Sequence, residues 1–158
     1  MSKMIALLFG ILLASVGSLF GYWLGGGRGG YLVHASELLI VASFVAGGVW
    51  AAFGPGNAFH LVADLLRPRE GIPGERLARN ILVCEAASRF ALFGGATATL
   101  MGFIITLARV GGDTSLVAES FGAALTGLLL GVALAGILFQ PLKSHFCALR
   151  AERDRPRS

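Results

Sequence analysis

The sequence predicts an all-α, polytopic membrane protein with four transmembrane helices. Four long apolar stretches carry no charged side chain, and the whole chain is 55% hydrophobic but only 14% charged, with a mean hydropathy of +0.74. A bilayer core about 30 Å thick is crossed by roughly 20 helical residues. Uncharged runs of this length are hard to place in a small soluble domain, so a soluble helical core is the weaker alternative. The spans nearly fill the 158 residues, which predicts a single membrane domain over residues 1–158.

Each span is bounded by polar or turn-forming residues. The uncharged stretches are Ile5–Leu24, Leu38–Phe53, Phe90–Ala108 and Phe121–Leu142. With their flanking residues they predict helices over about 4–24, 36–54, 90–108 and 120–142. The first stretch runs unbroken to Leu24, which is spanning length and favours a retained helix over a cleaved signal peptide. Between the middle helices we expect a short segment, 55–89, and after the last one a basic tail, 143–158.

The basic residues predict the orientation of the chain. If the four spans alternate, only Arg28 and Arg109 of the 13 Lys and Arg residues lie on one side of the membrane. The positive-inside rule then places both termini and the 55–89 segment in the cytoplasm of a bacterial inner (plasma) membrane. A specific lipid site is the alternative interpretation of the basic tail. Cys84 and Cys147 lie on the same cytoplasmic side, so we expect reduced thiols there.

The segment between the second and third helices contains Pro68 and Pro73, which interrupt helices. Its charged residues are therefore interpreted as a solvated stretch lying at the membrane surface. The residues interpreted in this way are Asp64, Arg67, Arg69, Glu70, Glu75 and Arg76.

Small residues recur at helical spacing inside the spans and predict close helix packing. The chain contains 23 glycines, and small side chains let helix backbones approach where lipid removes the hydrophobic force between helices. The predicted packing residues are Gly17, Gly21 and Gly25 in the first helix, Gly95 and Gly102 in the third, and Ala123, Gly127 and Gly131 in the fourth. The sequence leaves open whether these stripes pack within one subunit or between subunits.

Hydroxyl groups lie among these small residues. Thr99 and Thr106 share a face of the third helix with two glycines, and Thr126 lies in the fourth helix. Membrane threonines often bond back to their own helix, which is one interpretation of each residue alone. The other interpretation is a narrow hydrated path lined by Thr99, Thr106 and Thr126.

Asp, Glu, Lys, Arg and His are absent from all four uncharged stretches. A proton crosses a bilayer on relay groups, so this chain lacks a carboxylate that could carry one alone. A small multidrug-type transporter needs such a carboxylate and is disfavoured for the same reason. No nucleophile and base pair is evident, so we expect no enzymatic activity. We also expect no cofactor and no metal. The basic residues follow the membrane topology, so we expect no nucleic-acid partner.

The residues resemble a known family. Phe20-Gly21-Tyr22-Trp23-Leu24-Gly25-Gly26-Gly27 followed by Glu37-Leu38-Leu39-Ile40-Val41 is similar to the first two helices of MotA-type flagellar stator subunits. Phe93-Gly94-Gly95 with Thr99-Leu100-Met101-Gly102, and Ala124-Leu125-Thr126-Gly127 with Pro141-Leu142, resemble the last two helices of the wider MotA/TolQ/ExbB proton-channel family. The likeness covers residues 5–53 and 90–142, and it includes Glu37 and Pro141.

The chain also departs from the family pattern. Leu92 stands where a proline is usual, Leu128 stands where a threonine is usual, and Thr126 offers a hydroxyl from a shifted face. The large cytoplasmic domain of the stator subunits is reduced to the short segment 54–89. The charges that contact the rotor in that family therefore have no counterpart here.

The resemblance implies a homo-oligomeric ring of five subunits around a single-span partner of the MotB, ExbD or TolR type. The partner would supply the proton-carrying aspartate, and the third and fourth helices would face it. The output would be mechanical work driven by proton or ion flow. The alternative is a membrane scaffold or assembly factor that keeps the four-helix body but transports nothing.

Overall fold

The computed structural model describes residues 3–24, 35–54, 56, 60–61, 63–64, 72–109 and 114–154, with side chains for all of these except 3–4, 109 and 114–120. The described chain is all-helical. Its elements are α1 (Lys3–Leu24), α2 (Ala35–Phe53), α3 (Gly74–Arg109), α4 (Thr114–Ala133), a π-helical turn (Leu134–Phe139) and α5 (Gln140–Arg153).

Four helical runs in this part of the chain are long and apolar enough to cross a membrane. They are α1, α2, α3 and the continuous run formed by α4, the π-helical turn and α5. The predicted all-α fold with four potential spans is therefore confirmed for the described residues. These lengths and compositions identify a multi-pass membrane protein.

The ends of α2 follow from its sequence. Glu37 lies in the first turn, where a carboxylate is stabilised by the positive end of the helix dipole. At the other end, Gly54 has a φ of 80° and its N–H donates to the carbonyl of Trp50 at 2.8 Å. This left-handed geometry favours glycine and satisfies a terminal carbonyl. The predicted second span therefore ends at a glycine cap.

The third helix is much longer than its apolar stretch. α3 contains 36 residues and is about 54 Å long at 1.5 Å per residue, well beyond a core of about 30 Å. It begins directly after Pro73, whose carbonyl accepts from the N–H of Leu77 at 3.1 Å. Residues 74–89, expected in a short interhelical segment, are thus a helical continuation of the third span. Pro73 precedes this helix and does not interrupt it.

The fourth span contains a local change of helix type. The N–H of Gln140 donates to the carbonyl of Ala135, five residues earlier, which is the π-helical pattern. Pro141 follows at once and has no N–H to continue the α-helical pattern. The proline therefore accounts for the position of the wider turn, and α5 continues the same helix to Arg153.

α3 is the central helix of the chain, since it packs against α2, α4, the π-helical turn and α5. α1 packs against α5 and the π-helical turn, and its Leu7 joins the apolar cluster around Phe146. The start of α1 therefore lies at the same end of the molecule as α5 and the start of α3. This arrangement agrees with four alternating spans.

Residues 72–89 and α5, which begins within the last three residues of the fourth uncharged stretch, form a two-helix unit that we call the extension. Its core consists of Ile72, Leu77, Cys84, Leu142 and Phe146, and the Phe146 side chain is fully buried. Arg153 joins the end of α5 to the residues that precede α3, since its Nη1 donates to the carbonyl of Ile72 at 2.7 Å. The extension is thus a packed unit with a hydrophobic core of its own.

The interpretation of Asp64 as a solvated residue is wrong. Asp64 is 3% exposed, and its carboxylate accepts from Asn80 Nδ2 at 3.1 Å and from Arg76 Nη1 at 3.4 Å. A buried carboxylate needs such partners because it has lost its water. Glu75 is exposed as expected, whereas Arg67, Arg69 and Glu70 lie outside the described residues.

Candidate functional site

The joint between α3 and α4 brings together most of the predicted packing glycines. A methyl group added at Gly131 would lie 2.5 Å from the carbonyl oxygen of Ala91, and one at Gly95 would lie 2.7 Å from the carbonyl oxygen of Gly127. Real Cβ atoms do not approach backbone atoms so closely. The two backbones are therefore in direct contact at positions where only glycine fits.

The same joint includes Ala124, which was not among the predicted packing residues. Ala124 is 2% exposed and faces Gly102, where an added methyl group would lie 2.7 Å from the Ala124 Cβ. Ala123, the predicted member of the stripe, is only half-buried. Ala124, Gly127 and Gly131 follow the spacing i, i+3, i+7 of a 3.6-residue helix, whereas a strict four-residue spacing drifts off the face. The 3.6-residue period of the helix is therefore the sequence signal that identifies Ala124 as a packing residue.

The three threonines have hydrogen-bond partners on the backbone. Thr99 is 7% exposed, and its Oγ1 accepts from the N–H of Leu128 across the joint at 3.0 Å. Thr106 donates to the carbonyl of Gly102 at 2.7 Å, and Thr126 donates to the carbonyl of Ala123 at 2.6 Å. Thr99 thus links the two helices, while Thr106 and Thr126 bond within their own helices.

The predicted stripe of α1 has no such contact. A methyl group added at Gly17 or Gly21 would meet no described atom within 4 Å, and Gly25 lies outside the described residues. In contrast, α2 and α3 are in close contact, because an added methyl group at Gly48 would lie 2.5 Å from the Phe90 ring. Within the described part of the chain, glycine packing therefore joins α3 to α4 and α2.

Charged side chains lie on α3 directly N-terminal to its uncharged stretch. Glu85 accepts from Arg89 at 2.7 Å and from Lys143 at 3.0 Å, so one carboxylate bridges two cations. The hydrogen bond and charge of Lys143, followed by the charge of Arg89, lower the pKa of Glu85 below its ordinary value. Glu85 therefore stays ionised at neutral pH, which leaves one net positive charge on this trio.

The cysteines of the extension differ in their surroundings. Cys84 is fully buried, whereas Cys147 is exposed. Burial, and to a lesser extent Cys147, raises the pKa of the Cys84 thiol to about 12. No group of three or more potential metal ligands occurs within the described ranges.

The α3–α4 joint offers close backbone contact, one interhelical hydrogen bond at Thr99 and apolar surface. It holds the two helices at close distance. The uncharged stretches contain no Asp, Glu, Lys, Arg or His. A comparison with models of known protein families and with curated proteins finds no match for the chain.

Proposed function

We propose that the chain is the ring subunit of a proton-driven or ion-driven motor channel in the bacterial inner membrane, with both termini in the cytoplasm. Five copies would surround a single-span partner that carries an ion-binding aspartate. The observation that carries this proposal is the combination of hydroxyl groups at the α3–α4 joint with uncharged stretches that lack Asp, Glu, Lys, Arg and His. The resemblance of these helices to MotA/TolQ/ExbB subunits points to the same division of labour.

The absence of a carboxylate from the uncharged stretches supports the proposal that a partner supplies one. A proton in transit needs an ionisable group or connected water, since an unpaired charge in an apolar medium is very costly. The uncharged stretches of this chain supply no carboxylate, amine, guanidinium or imidazole. A ring of such subunits would therefore provide the wall of a path, and the partner would provide the relay.

The continuity of the long helices supports a mechanical output. α3 passes from the apolar region into the extension without interruption, and it contacts both α4 and α5 along the way. A movement imposed on its apolar half would displace the extension as well. Assembly is supported by the exposed apolar faces, including Leu100 (61% exposed) and Ile104 (66% exposed) on α3, which need lipid or protein neighbours.

The test is ion flux in vesicles that contain the chain with and without a co-expressed single-span protein bearing an aspartate near the start of its span. We expect no flux from the chain alone and measurable flux from the pair. Thr99→Val should reduce the flux of the pair, and Thr99→Ser, which keeps the hydroxyl, should retain it. Flux from the chain alone, or full flux in a Thr99→Val, Thr126→Val double variant, would contradict the proposal.

The second candidate is a scaffold that transports nothing. It is favoured by the hydrogen bonds of Thr99, Thr106 and Thr126, each of which already has a backbone partner. Such hydroxyls serve packing as well as they serve a path. Measuring oligomer size beside flux separates the two functions: a scaffold would keep its complexes but show no flux with any partner.

A further inference from the structure

A groove of about 320 Å³ opens on the outside of the molecule where α2 ends and α3 leaves its apolar stretch. Ala52 and Phe53 form one wall, and the opposite wall comes from about three turns of α3. The lining residues on α3 are Leu82, Glu85, Ala86, Arg89, Phe90 and Phe93. The groove therefore crosses the boundary between the charged and uncharged parts of α3.

The groove changes character along its length. Below the boundary it contains Glu85 and Arg89, and above it Phe93 is 64% exposed. Leu82, Ala86, Arg89 and Phe93 follow helical spacing and lie on one face of α3. Leu100, which is 61% exposed, continues that face into the apolar region. A ligand that fits this surface has a polar end at Arg89 and a long apolar part directed along α3.

The charge of the groove selects the polar end of such a ligand. Arg89 and Lys143 share the single carboxylate of Glu85, which leaves one excess positive charge. The Arg89 side chain is 70% exposed, so guanidinium N–H groups beyond the Nη2 bonded to Glu85 remain accessible. A guanidinium binds a phosphate group through parallel hydrogen bonds. The favoured headgroup is therefore a phosphate with net negative charge.

We propose that this groove binds one anionic glycerophospholipid, with its phosphate on Arg89 and an acyl chain along Phe53, Phe90 and Phe93. A second copy of the chain is the less favoured occupant, because another α3 would bring a second positive cluster to this face. Lipid binding in this groove is a property of the single chain and does not depend on ion transport.

The experiment is a lipid titration of the full chain in detergent, read by native mass spectrometry. Phosphatidylglycerol and phosphatidylcholine with identical acyl chains are compared for the unmodified protein, Arg89→Gln and Arg150→Gln. Arg150 is the matched control, since it is 53% exposed and lies in α5, away from the groove lining. We expect one tightly bound phosphatidylglycerol, about a five-fold weaker affinity in Arg89→Gln and no change in Arg150→Gln.

A second variant tests the shape of the groove. Ala52 is exposed, so Ala52→Trp fills the groove without disturbing a buried contact. This variant should weaken binding of both lipids to a similar degree. Arg89→Gln should weaken binding of phosphatidylglycerol more than that of phosphatidylcholine, because the choline cation already offsets the charge of its phosphate. Equal losses in Arg89→Gln and Arg150→Gln would overturn the proposal in favour of general surface charge. Efficient dimer formation by disulfide cross-linking of Leu82→Cys in membranes would overturn it in favour of a second copy.

Discussion

α3 packs against the run formed by α4, the π-helical turn and α5, and this long helix pair has a membrane half and an extension half. The two halves are held together in opposite ways. Within the apolar stretches, α3 and α4 touch through Gly95, Gly127 and Gly131, where backbones meet directly. In the extension, α3 and α5 enclose large side chains such as Leu77 and Phe146. The first half consists of uncharged stretches of spanning length, and within a bilayer close approach and dispersion replace the hydrophobic effect. The second half carries the charged side chains, and in contact with water the burial of large apolar side chains is favourable.

This difference predicts opposite sensitivities to mutation. The α3–α4 joint of the membrane half has no space for added atoms at Gly95 and Gly131, because a single methyl group would collide with the opposite backbone. The extension depends on the volume that it already contains, because Phe146 is fully enclosed. Adding volume should therefore damage the first half, and removing volume should damage the second.

The largest effect is expected for Gly131→Leu. Its Cβ alone would lie 2.5 Å from the Ala91 carbonyl oxygen and 2.9 Å from the Gly95 Cα, so the helices must separate. We expect destabilisation above the roughly 1–3 kcal/mol typical of overpacking, with loss of the folded species in size-exclusion chromatography. Gly122→Leu is the matched control, because the same helix offers open space at that position. Equal behaviour of the two variants would contradict the close joint.

The next effect is expected for Phe146→Ala in the extension. Removing a fully buried phenyl ring should cost about 3–5 kcal/mol and lower the thermal unfolding midpoint in detergent. Phe9→Ala removes the same atoms from α1, where the side chain is 63% exposed, and should change the midpoint much less. A similar loss in both variants would show that the extension has no separate core.

The smallest perturbation compares the two cysteines by chemical labelling. Cys147 is exposed and should react quickly with a maleimide, whereas Cys84 is buried with a pKa of about 12 and should react slowly at neutral pH. Cys84→Ser and Cys147→Ser separate the two rates. An impermeant reagent should label Cys147 in opened but not in intact cells if the extension is cytoplasmic. Fast labelling of Cys84 would contradict a packed extension.

The sequence predicted the membrane half of the fold better than the extension. An uncharged run of spanning length has few stable alternatives, so the four helices were predictable, and a 3.6-residue period explains how Gly127 and Gly131 face α3. Residues 74–89 mix charged and apolar side chains beside Pro73, and their helix is favoured by packing against α5. The burial of Asp64 depends on Asn80 and Arg76, which lie in α3. Such tertiary partners leave no local signal.

The π-helical turn at Leu134–Phe139 makes the two long helices unequal in stiffness. Its wider hydrogen-bond pattern is less favourable than the α-helical one, and Pro141 removes one further donor. α3 packs against this turn and is itself continuous there. It therefore supports the run formed by α4 and α5 at the position where the hydrogen bonds of that run are least regular. Bending between the apolar region and the extension would have to deform α3 as well. We therefore expect the two helices to tilt together as one body, with little change in the angle between the apolar region and the extension.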